Sequence, residues 1–225
     1  MSQQFTVDWH SQHIPEWLRI LDKYKGQPSV RALEIGSFEG RSTVWLLENI
    51  LTHPTAHIDC IDTFEGSPEH ADMHIDSNNL LNRFLNNVEP HAKKANWFKG
   101  RSQEILRNGE FGSREIQSYD FIYIDGSHKA ADVLEDAVLS FRLLKIGGLL
   151  IFDDYAWFGG GPSEFDNPMR GIDAFYHAYQ NQLKSVSISY QAIYERTVEA
   201  YIEPAWVKAL PDLNKIIEKF GLSVI

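Results

Sequence analysis

Two stretches of the chain are apolar runs that end in carboxylates: Phe121-Ile-Tyr-Ile-Asp-Gly-Ser-His128 and Leu149-Leu-Ile-Phe-Asp-Asp-Tyr155. Runs of Ile, Leu, Phe and Tyr without polar alternation are typical of strands buried on both faces of a parallel sheet. In such sheets, ligands bind just beyond the carboxyl ends of the strands. We therefore expect three acids and a histidine to share one edge of a sheet: Asp125, His128, Asp153 and Asp154.

Strand and helix patterns alternate along the chain, which predicts an α/β fold with a doubly wound, mostly parallel sheet of seven strands. The first five strands are predicted at 31–36, 57–62, 95–99, 119–125 and 148–152, and helical spacing is found over 14–24, 42–51, 78–88, 102–107 and 130–144. Beyond the glycine-rich segment 159–161, a helix over 169–182 precedes an antiparallel hairpin with strands 186–194 and 198–202 and a turn at 195–197. A last helix is predicted over 211–220.

Charge and cysteine usage restrict the partners. A net charge of −10 argues against binding to a phosphate backbone, which relies on Lys and Arg. Cys60 is the only cysteine, and its apolar surroundings indicate a packed thiol in a reducing compartment. No signal-peptide pattern is found in the first twenty residues, and no apolar run approaches the ~20 residues of a membrane span. These features predict a cytoplasmic protein without nucleic-acid or membrane partners, and they leave homo-oligomerisation open.

The carboxylates at the strand ends predict a metal site. Buried acids on neighbouring strands repel one another unless a cation offsets their charge. Oxygen ligands suit a hard divalent ion such as Mg2+, so Asp125, Asp153 and Asp154 are the expected ligands. Asp125 and Asp153 could instead cap turns, and Asp154 could face away because neighbouring residues of an extended segment point to opposite sides. A second acidic and histidine-rich group is interpreted as a solvated loop rather than a metal site: His70, Asp72, His74 and Asp76.

The first strand leads into Gly36-Ser-Phe-Glu-Gly-Arg-Ser42, and a helix follows. Gly36 permits a tight turn, and Gly40 permits close approach of a ligand to the helix N-terminus. The pattern is G-x-x-x-G rather than G-x-G-x-x-G, and nearby Glu34 and Glu39 disfavour a pyrophosphate. Asp62 ends the second strand, where an acid can accept hydrogen bonds from ribose hydroxyls. Together these residues predict a nucleoside site.

These motifs resemble those of class I S-adenosylmethionine-dependent methyltransferases. The similarity is closest to the small-molecule O-methyltransferase branch, which includes catechol, caffeoyl-CoA and macrolide-sugar enzymes. It extends over about residues 30–157 and is carried by the segments 32–43, 61–66 and 125–154. The resemblance implies S-adenosylmethionine as cofactor, Mg2+ or another divalent cation, and a small-molecule hydroxyl acceptor such as a sugar, natural product or phenol.

The resemblance also implies a role for individual residues. The methionine half of the cofactor would be lined by Glu34, Gly36, Ser37 and Gly40, with Asp62 at the ribose, Phe64 and Ser102 near the adenine, and Asp125 in both the cofactor and metal sites. Metal binding would fall to Asp125, Asp153 and Asp154. His128 stands where catechol-type enzymes have a lysine, as in sugar-type enzymes, and would be the general base. A helix-capping role is the alternative for this histidine.

The expected organisation is one domain over 1–225, which is long enough to bury a sizeable core. It comprises an N-terminal helical segment at 1–29, a cofactor- and metal-binding core at 30–157, and a C-terminal helix and hairpin at 158–225. Two other functions stay open: an NAD-dependent oxidoreductase, disfavoured by Glu34 and the missing third glycine, and a nucleoside-binding relative without methyltransferase activity.

Overall fold

The computed structural model describes residues 3–67, 70, 78–108, 111, 116–157 and 167–198. The predicted helix over 211–220, the glycine-rich segment, most of the predicted strand 198–202, and Asp72, His74 and Asp76 lie outside these residues. Among the described helices, none combines the length and apolar character needed to cross a bilayer.

Seven strands and six α-helices alternate along the described chain. The strands are β1 Arg31–Ile35, β2 His57–Asp62, β3 Ala95–Lys99, β4 Tyr119–Ile124, β5 Leu144–Phe152, β6 Leu183–Ile188 and β7 Ala192–Arg196. The helices are α1 Ile14–Ile20, α2 Arg41–Asn49, α3 Leu80–Val88, α4 Ser102–Arg107, α5 Ala130–Phe141 and α6 Pro168–Tyr179. Short 3-10 helices lie at Ser11–His13, Asp22–Tyr24, Glu89–His91 and Gln180–Gln182.

The strands form one sheet in the order β3-β2-β1-β4-β5-β7-β6. Strands β1 to β5 are parallel, whereas β7 pairs antiparallel with both β5 and β6. The predicted fold class, a doubly wound mostly parallel sheet with an antiparallel C-terminal hairpin, is therefore confirmed. The strand order changes direction between the adjacent strands β1 and β4, and this switch point is where such sheets bind ligands.

Alternate residues of the central strands face two different apolar layers, as the pleat of a strand requires. Ala32 and Tyr123 contribute to the layer that packs under α1, α2 and α3. Leu33 and Ile122 contribute to the opposite layer, which packs under α4, α5 and α6. Burial on both faces explains why these strands lack polar alternation.

Strand β5 begins earlier than the sequence predicts. The expected helix over 130–144 ends at Phe141, and β5 starts at Leu144 rather than at Gly148. The apolar residues Leu143 and Leu144 fit a helical stripe as well as a strand, so spacing alone could not separate the two. Gly148 lies inside the strand, and this position needs glycine because a Cβ there would lie 2.8 Å from the Asp120 carbonyl oxygen.

The C-terminal hairpin is correctly predicted as a motif, but its turn is misplaced. The turn was expected at 195–197, whereas it lies between β6 and β7, where the Ser189 amide donates to the Gln191 carbonyl oxygen at 2.8 Å. The segment 192–196 is instead the strand that pairs with β5. The apolar and β-branched run 186–194 looks like a single strand, and only pairing with β5 determines where it bends.

Candidate active site

A cavity of about 60 Å³ lies at the carboxyl ends of β1 and β4. Three parts of the chain meet there: the N-terminal segment, the turn at residues 36–42, here called the glycine turn, and the ends of β4 and β5. The lining residues are Val7, Trp9, His10, Gly36, Ser37, Phe38, Glu39, Arg41, Ser42, Tyr123, Asp125 and Asp153. Four of the residues predicted from the sequence are among them: Gly36, Ser37, Asp125 and Asp153.

Gly36 brings the ends of β1 and β4 into contact. Its φ is +88°, and a Cβ at this position would lie 1.8 Å from the carbonyl oxygen of Asp125. The Asp125 amide donates to the Ile35 carbonyl oxygen at 2.7 Å, which fixes the two strand ends side by side. Gly40, at φ +80°, is the N-cap of α2. The glycines of the predicted motif therefore shape the cavity floor and start the helix beside it.

Asp62 joins the glycine turn to the turn after β2. Its Oδ2 accepts hydrogen bonds from the amides of Ser37 and Phe38, both at 2.8 Å. Its Oδ1 accepts from the Phe64 amide at 2.6 Å. Asp62 is partly buried, and it is not among the residues that line the cavity. Its predicted contact with a ribose stays a prediction, and its role in holding both turns is directly visible.

Glu34 and Phe64 do not line the cavity. Glu34 is fully buried under the glycine turn, where Ser42 Oγ donates to it at 2.6 Å and Thr43 Oγ1 donates to its other oxygen. Burial raises the pKa of this carboxyl. The ring of Phe64 packs in the core against Phe84, with 5.1 Å between ring centroids. The predicted cofactor contacts of these two residues would have to come from their backbone or from the turn that they support.

Ser102 stands at the start of α4 and is bound to an acid that the sequence reasoning missed. Its Oγ donates to Asp136 Oδ1 at 2.6 Å, and Gln103 Nε2 donates to the same oxygen at 3.0 Å. Asp136 is buried, and burial raises its pKa to about 7 although the Ser102 hydrogen bond acts in the opposite direction. The sequence did contain a signal for this buried acid, because Asp136 follows Val133 by three residues and so falls on the apolar face of the predicted helix.

Tyr123 connects the two acids that end β4 and β5. Its hydroxyl contacts Asp125 Oδ2 at 2.8 Å and makes a short hydrogen bond to Asp153 Oδ2. Burial raises the pKa of both carboxyls, and each is raised further by a neighbouring acid, Asp153 for Asp125 and Asp154 for Asp153. Tyr123 was missed as a site residue, although a tyrosine two positions before Asp125 shares its face of the strand.

Asp154 faces away from this pair and binds a histidine. Its Oδ2 lies 2.9 Å from His128 Nε2, and its Oδ1 accepts from the Tyr190 hydroxyl at 3.0 Å. The His128 ring also packs on Trp157, with 4.3 Å between centroids. From the other side, His13 Nε2 lies 3.5 Å from Asp153 Oδ1. The four predicted residues Asp125, His128, Asp153 and Asp154 thus lie in one region, together with Tyr123. These five residues are called the carboxylate cluster below.

The oxygen donors of this cluster fit a hard divalent cation in chemistry, since carboxylates are the ligands that such ions prefer. Their arrangement is less simple. Among the described residues, no three His, Cys, Asp or Glu side chains are grouped so that they could hold a metal ion. Asp125 and Asp153 meet at Tyr123, whereas Asp154 meets His128 and Tyr190. Metal binding by these three acids therefore stays a prediction.

Comparison with known proteins places this site in a family. A family model described as a methyltransferase domain matches residues 33–155, more than half of the chain. A curated relative from Dictyostelium discoideum, named probable caffeoyl-CoA O-methyltransferase 3, is 26% identical over 144 residues, which are 61% of this chain and 48% of that protein. The chain thus spans about half the length of this relative.

Solved structures show the same fold. The MycE methyltransferase of the mycinamycin biosynthetic pathway, solved with Mg, SAH and mycinamycin VI, has a TM-score of 0.58 and 20% identity and covers 89% of this chain, which in turn covers 54% of MycE. An O-methyltransferase from Bacillus cereus, solved with SAH, has a TM-score of 0.59 and 18% identity, with 86% and 84% covered. With the family model spanning the glycine turn, Asp62 and the carboxylate cluster, the chain belongs to the methyltransferase-domain family.

Proposed function

We propose that the chain is an S-adenosylmethionine-dependent methyltransferase that methylates a hydroxyl oxygen of a small molecule. The observation that carries this proposal is the meeting of the glycine turn with Tyr123, Asp125 and Asp153 of the carboxylate cluster around one cavity. The names of the Dictyostelium discoideum relative and of the Bacillus cereus structure support oxygen as the methylated atom. A sugar, natural product or phenol is the acceptor class that we propose.

The cofactor supplies an electrophilic methyl group on a sulfonium, and the protein has to align the acceptor oxygen with it. The glycine turn and Asp62 would hold the cofactor, because the turn lines the cavity and Asp62 fixes the Ser37 and Phe38 amides at 2.8 Å. Asp125 lies where β4 meets this turn, with its amide bonded to the Ile35 carbonyl oxygen.

His128 is the proposed general base. Its Nε2 lies 2.9 Å from Asp154 Oδ2, a contact that favours the tautomer with the proton on Nε2 and leaves Nδ1 to accept a proton. Nδ1 is buried in the structure, so neighbouring side chains would have to move for an acceptor hydroxyl to reach it. Trp157 packs on the ring and restricts its rotation. An imidazole held in this way can remove the proton of the acceptor hydroxyl as the methyl group is transferred.

The proposed second cofactor is a divalent cation, for which Mg2+ is the leading candidate. Its ligands would be Asp125, Asp153 and Asp154. Bound there, such an ion would lower the pKa of a coordinated acceptor hydroxyl. The support lies in the acids themselves: two largely buried carboxyls share a single tyrosine hydroxyl, and a cation would relieve their repulsion. The Mg in the MycE complex is consistent with this proposal.

Cofactor binding is the first test. Titration calorimetry with S-adenosylhomocysteine should show binding to the wild type, and Asp62→Ala should weaken it by about 1–3 kcal/mol because buried backbone amides and a ribose lose their acceptor. Asp22→Ala, at an exposed position, is the matched control. If the wild type does not bind S-adenosylhomocysteine but is stabilised by NADH, the methyltransferase proposal is rejected and the oxidoreductase is favoured.

Turnover is the second test, with S-adenosylmethionine and a panel of phenols and sugars. His128→Ala should reduce the rate about 10²- to 10⁴-fold while the affinity for S-adenosylhomocysteine is kept. Asp125→Asn and Asp153→Asn should abolish the Mg2+-dependent part of the rate. Full activity in excess EDTA would refute the metal, and an unchanged rate in His128→Ala would refute the base.

A further inference from the structure

The N-terminal residues 3–13, here called the strap, are fastened across the glycine turn. The Thr6 amide and hydroxyl donate to the two carboxylate oxygens of Glu39 at 2.7 and 2.9 Å. Arg41 Nε donates to the Val7 carbonyl oxygen at 3.0 Å. Asn87 of α3 exchanges two hydrogen bonds with the backbone of Gln4, at 2.7 and 2.8 Å. The strap is therefore held as a wall of the cavity rather than as a loose terminus.

His10 is the strap residue whose chemistry is unexplained. Its side chain lines the cavity, is only 7% exposed, and packs edge-on against Trp17 with 4.6 Å between ring centroids. A second indole, that of Trp45, lies 5.3 Å away. Within the part of the chain that the structure describes, both ring nitrogens are buried without a hydrogen-bond partner. Buried polar atoms in native proteins almost always have a partner, so an unpaired imidazole facing a cavity indicates a ligand.

The cavity determines which ligand would satisfy this imidazole. Its other walls are the first residues of α2, whose N-terminus carries a partial positive charge, and the acids Glu39, Asp125 and Asp153, which would face an ammonium group. Burial lowers the pKa of His10 to about 4, so the ring is neutral at pH 7 and offers one N–H donor and one acceptor. An amino-acid group, with a carboxylate acceptor and an ammonium donor, matches these features, whereas an apolar group would leave both nitrogens unpaired.

We propose that His10 binds the amino-acid end of S-adenosylmethionine, donating a hydrogen bond to its α-carboxylate. This assignment rests on the proposed function, since it takes the cofactor as given and names a residue that holds it. It makes the strap part of the cofactor site.

Two ligands separate this role from a structural one. S-adenosylhomocysteine has the amino-acid end, and 5′-methylthioadenosine has the same nucleoside without it. His10→Phe keeps a flat ring between the two indoles and removes both nitrogens. By calorimetry, this variant should bind S-adenosylhomocysteine at least tenfold more weakly and 5′-methylthioadenosine within about twofold of the wild type. His10→Asn, which retains a donor, should recover much of the loss, and His177→Phe, at an exposed position, is the control.

Apo stability provides a second readout. Removing a buried unpaired polar group should leave the melting temperature of His10→Phe equal to or above that of the wild type. If Phe is too large to fold, His10→Leu gives the same comparison. Unchanged S-adenosylhomocysteine binding in a folded variant, or an equal loss for both ligands, would overturn the assignment while leaving the proposed function intact. Failure of the wild type to bind S-adenosylhomocysteine would overturn both.

Discussion

At the scale of single residues, Asp136 shows how a buried acid is tolerated beside the site. Its carboxyl is 1% exposed and accepts hydrogen bonds from Ser102 and Gln103. Burial raises its pKa from 3.8 to about 7. The folded state therefore binds more protons than the unfolded state between these two values. The stability that this group contributes is complete below pH 3.8 and is lost as the pH rises through about 7.

The first prediction concerns Asp136→Asn. An asparagine can still accept from Ser102 and Gln103 but does not ionise, so the fall in stability that this group causes between pH 5 and pH 8 should disappear. Urea unfolding across this range should show that the free energy of unfolding of the variant increases relative to that of the wild type as the pH rises. Asp22→Asn, an exposed acid, should keep the wild-type profile. Parallel curves for Asp136→Asn and the wild type would contradict the assigned pKa.

At the scale of elements, the glycine turn illustrates two separate requirements for glycine. Gly36 and Gly147 both have positive φ, at +88° and +80°. A Cβ at Gly36 would lie 1.8 Å from the Asp125 carbonyl oxygen, whereas a Cβ at Gly147 has nothing within 4 Å. Gly147 thus needs glycine only for its backbone conformation. Position 36 needs glycine for a second reason, because the backbone at the end of β4 lies against it.

The second prediction compares alanine at these two positions. Gly147→Ala should cost about 1 kcal/mol, the price of a left-handed conformation for an ordinary residue. Gly36→Ala should cost at least several times more and abolish S-adenosylhomocysteine binding, because the ends of β1 and β4 would have to separate. Denaturant unfolding of both variants measures the difference. Equal losses would show that the two strand ends can move apart freely.

The same elements show what sequence could and could not predict. Strands β1 to β4 are predicted to within one residue, and β1, β2 and β4 are buried runs that end at a glycine or an acid. The site acids follow from the strand ends, since the parallel sheet brings Asp125 and Asp153 together. The partners of these acids were missed, because His13 and Tyr190 reach them only through tertiary packing. His10 was missed for the same reason, as its unpaired nitrogens are visible only once the strap is in place.

At the scale of the whole molecule, the strap ties the N-terminus to elements far along the chain. Glu39 of the glycine turn is 1% exposed and accepts a hydrogen bond from the Thr6 hydroxyl of the strap. Arg83 of α3 forms an ion pair with the same Glu39 carboxylate at 2.8 Å. Asn87 of the same helix donates to the Glu39 carbonyl oxygen at 2.9 Å. Glu39 was interpreted from the sequence only as an acid unfavourable to pyrophosphate. In the structure it is the point where the strap, the glycine turn and α3 meet.

The last prediction tests whether this junction retains the cofactor. Thr6→Val removes the hydroxyl that donates to Glu39 Oε1 and keeps the backbone amide that donates to Oε2. Losing one hydrogen bond to a charged group should cost about 1–2 kcal/mol, about 5- to 30-fold in a rate or equilibrium constant. If the strap closes over bound cofactor, the loss should increase the dissociation rate of S-adenosylhomocysteine by this factor, with a much smaller change in the association rate. Stopped-flow displacement measures both rates. Thr52→Val, at an exposed position away from the strap, should leave both unchanged. A wild-type dissociation rate in Thr6→Val would show that the strap does not hold the ligand, because the junction would then be weakened without any effect on release.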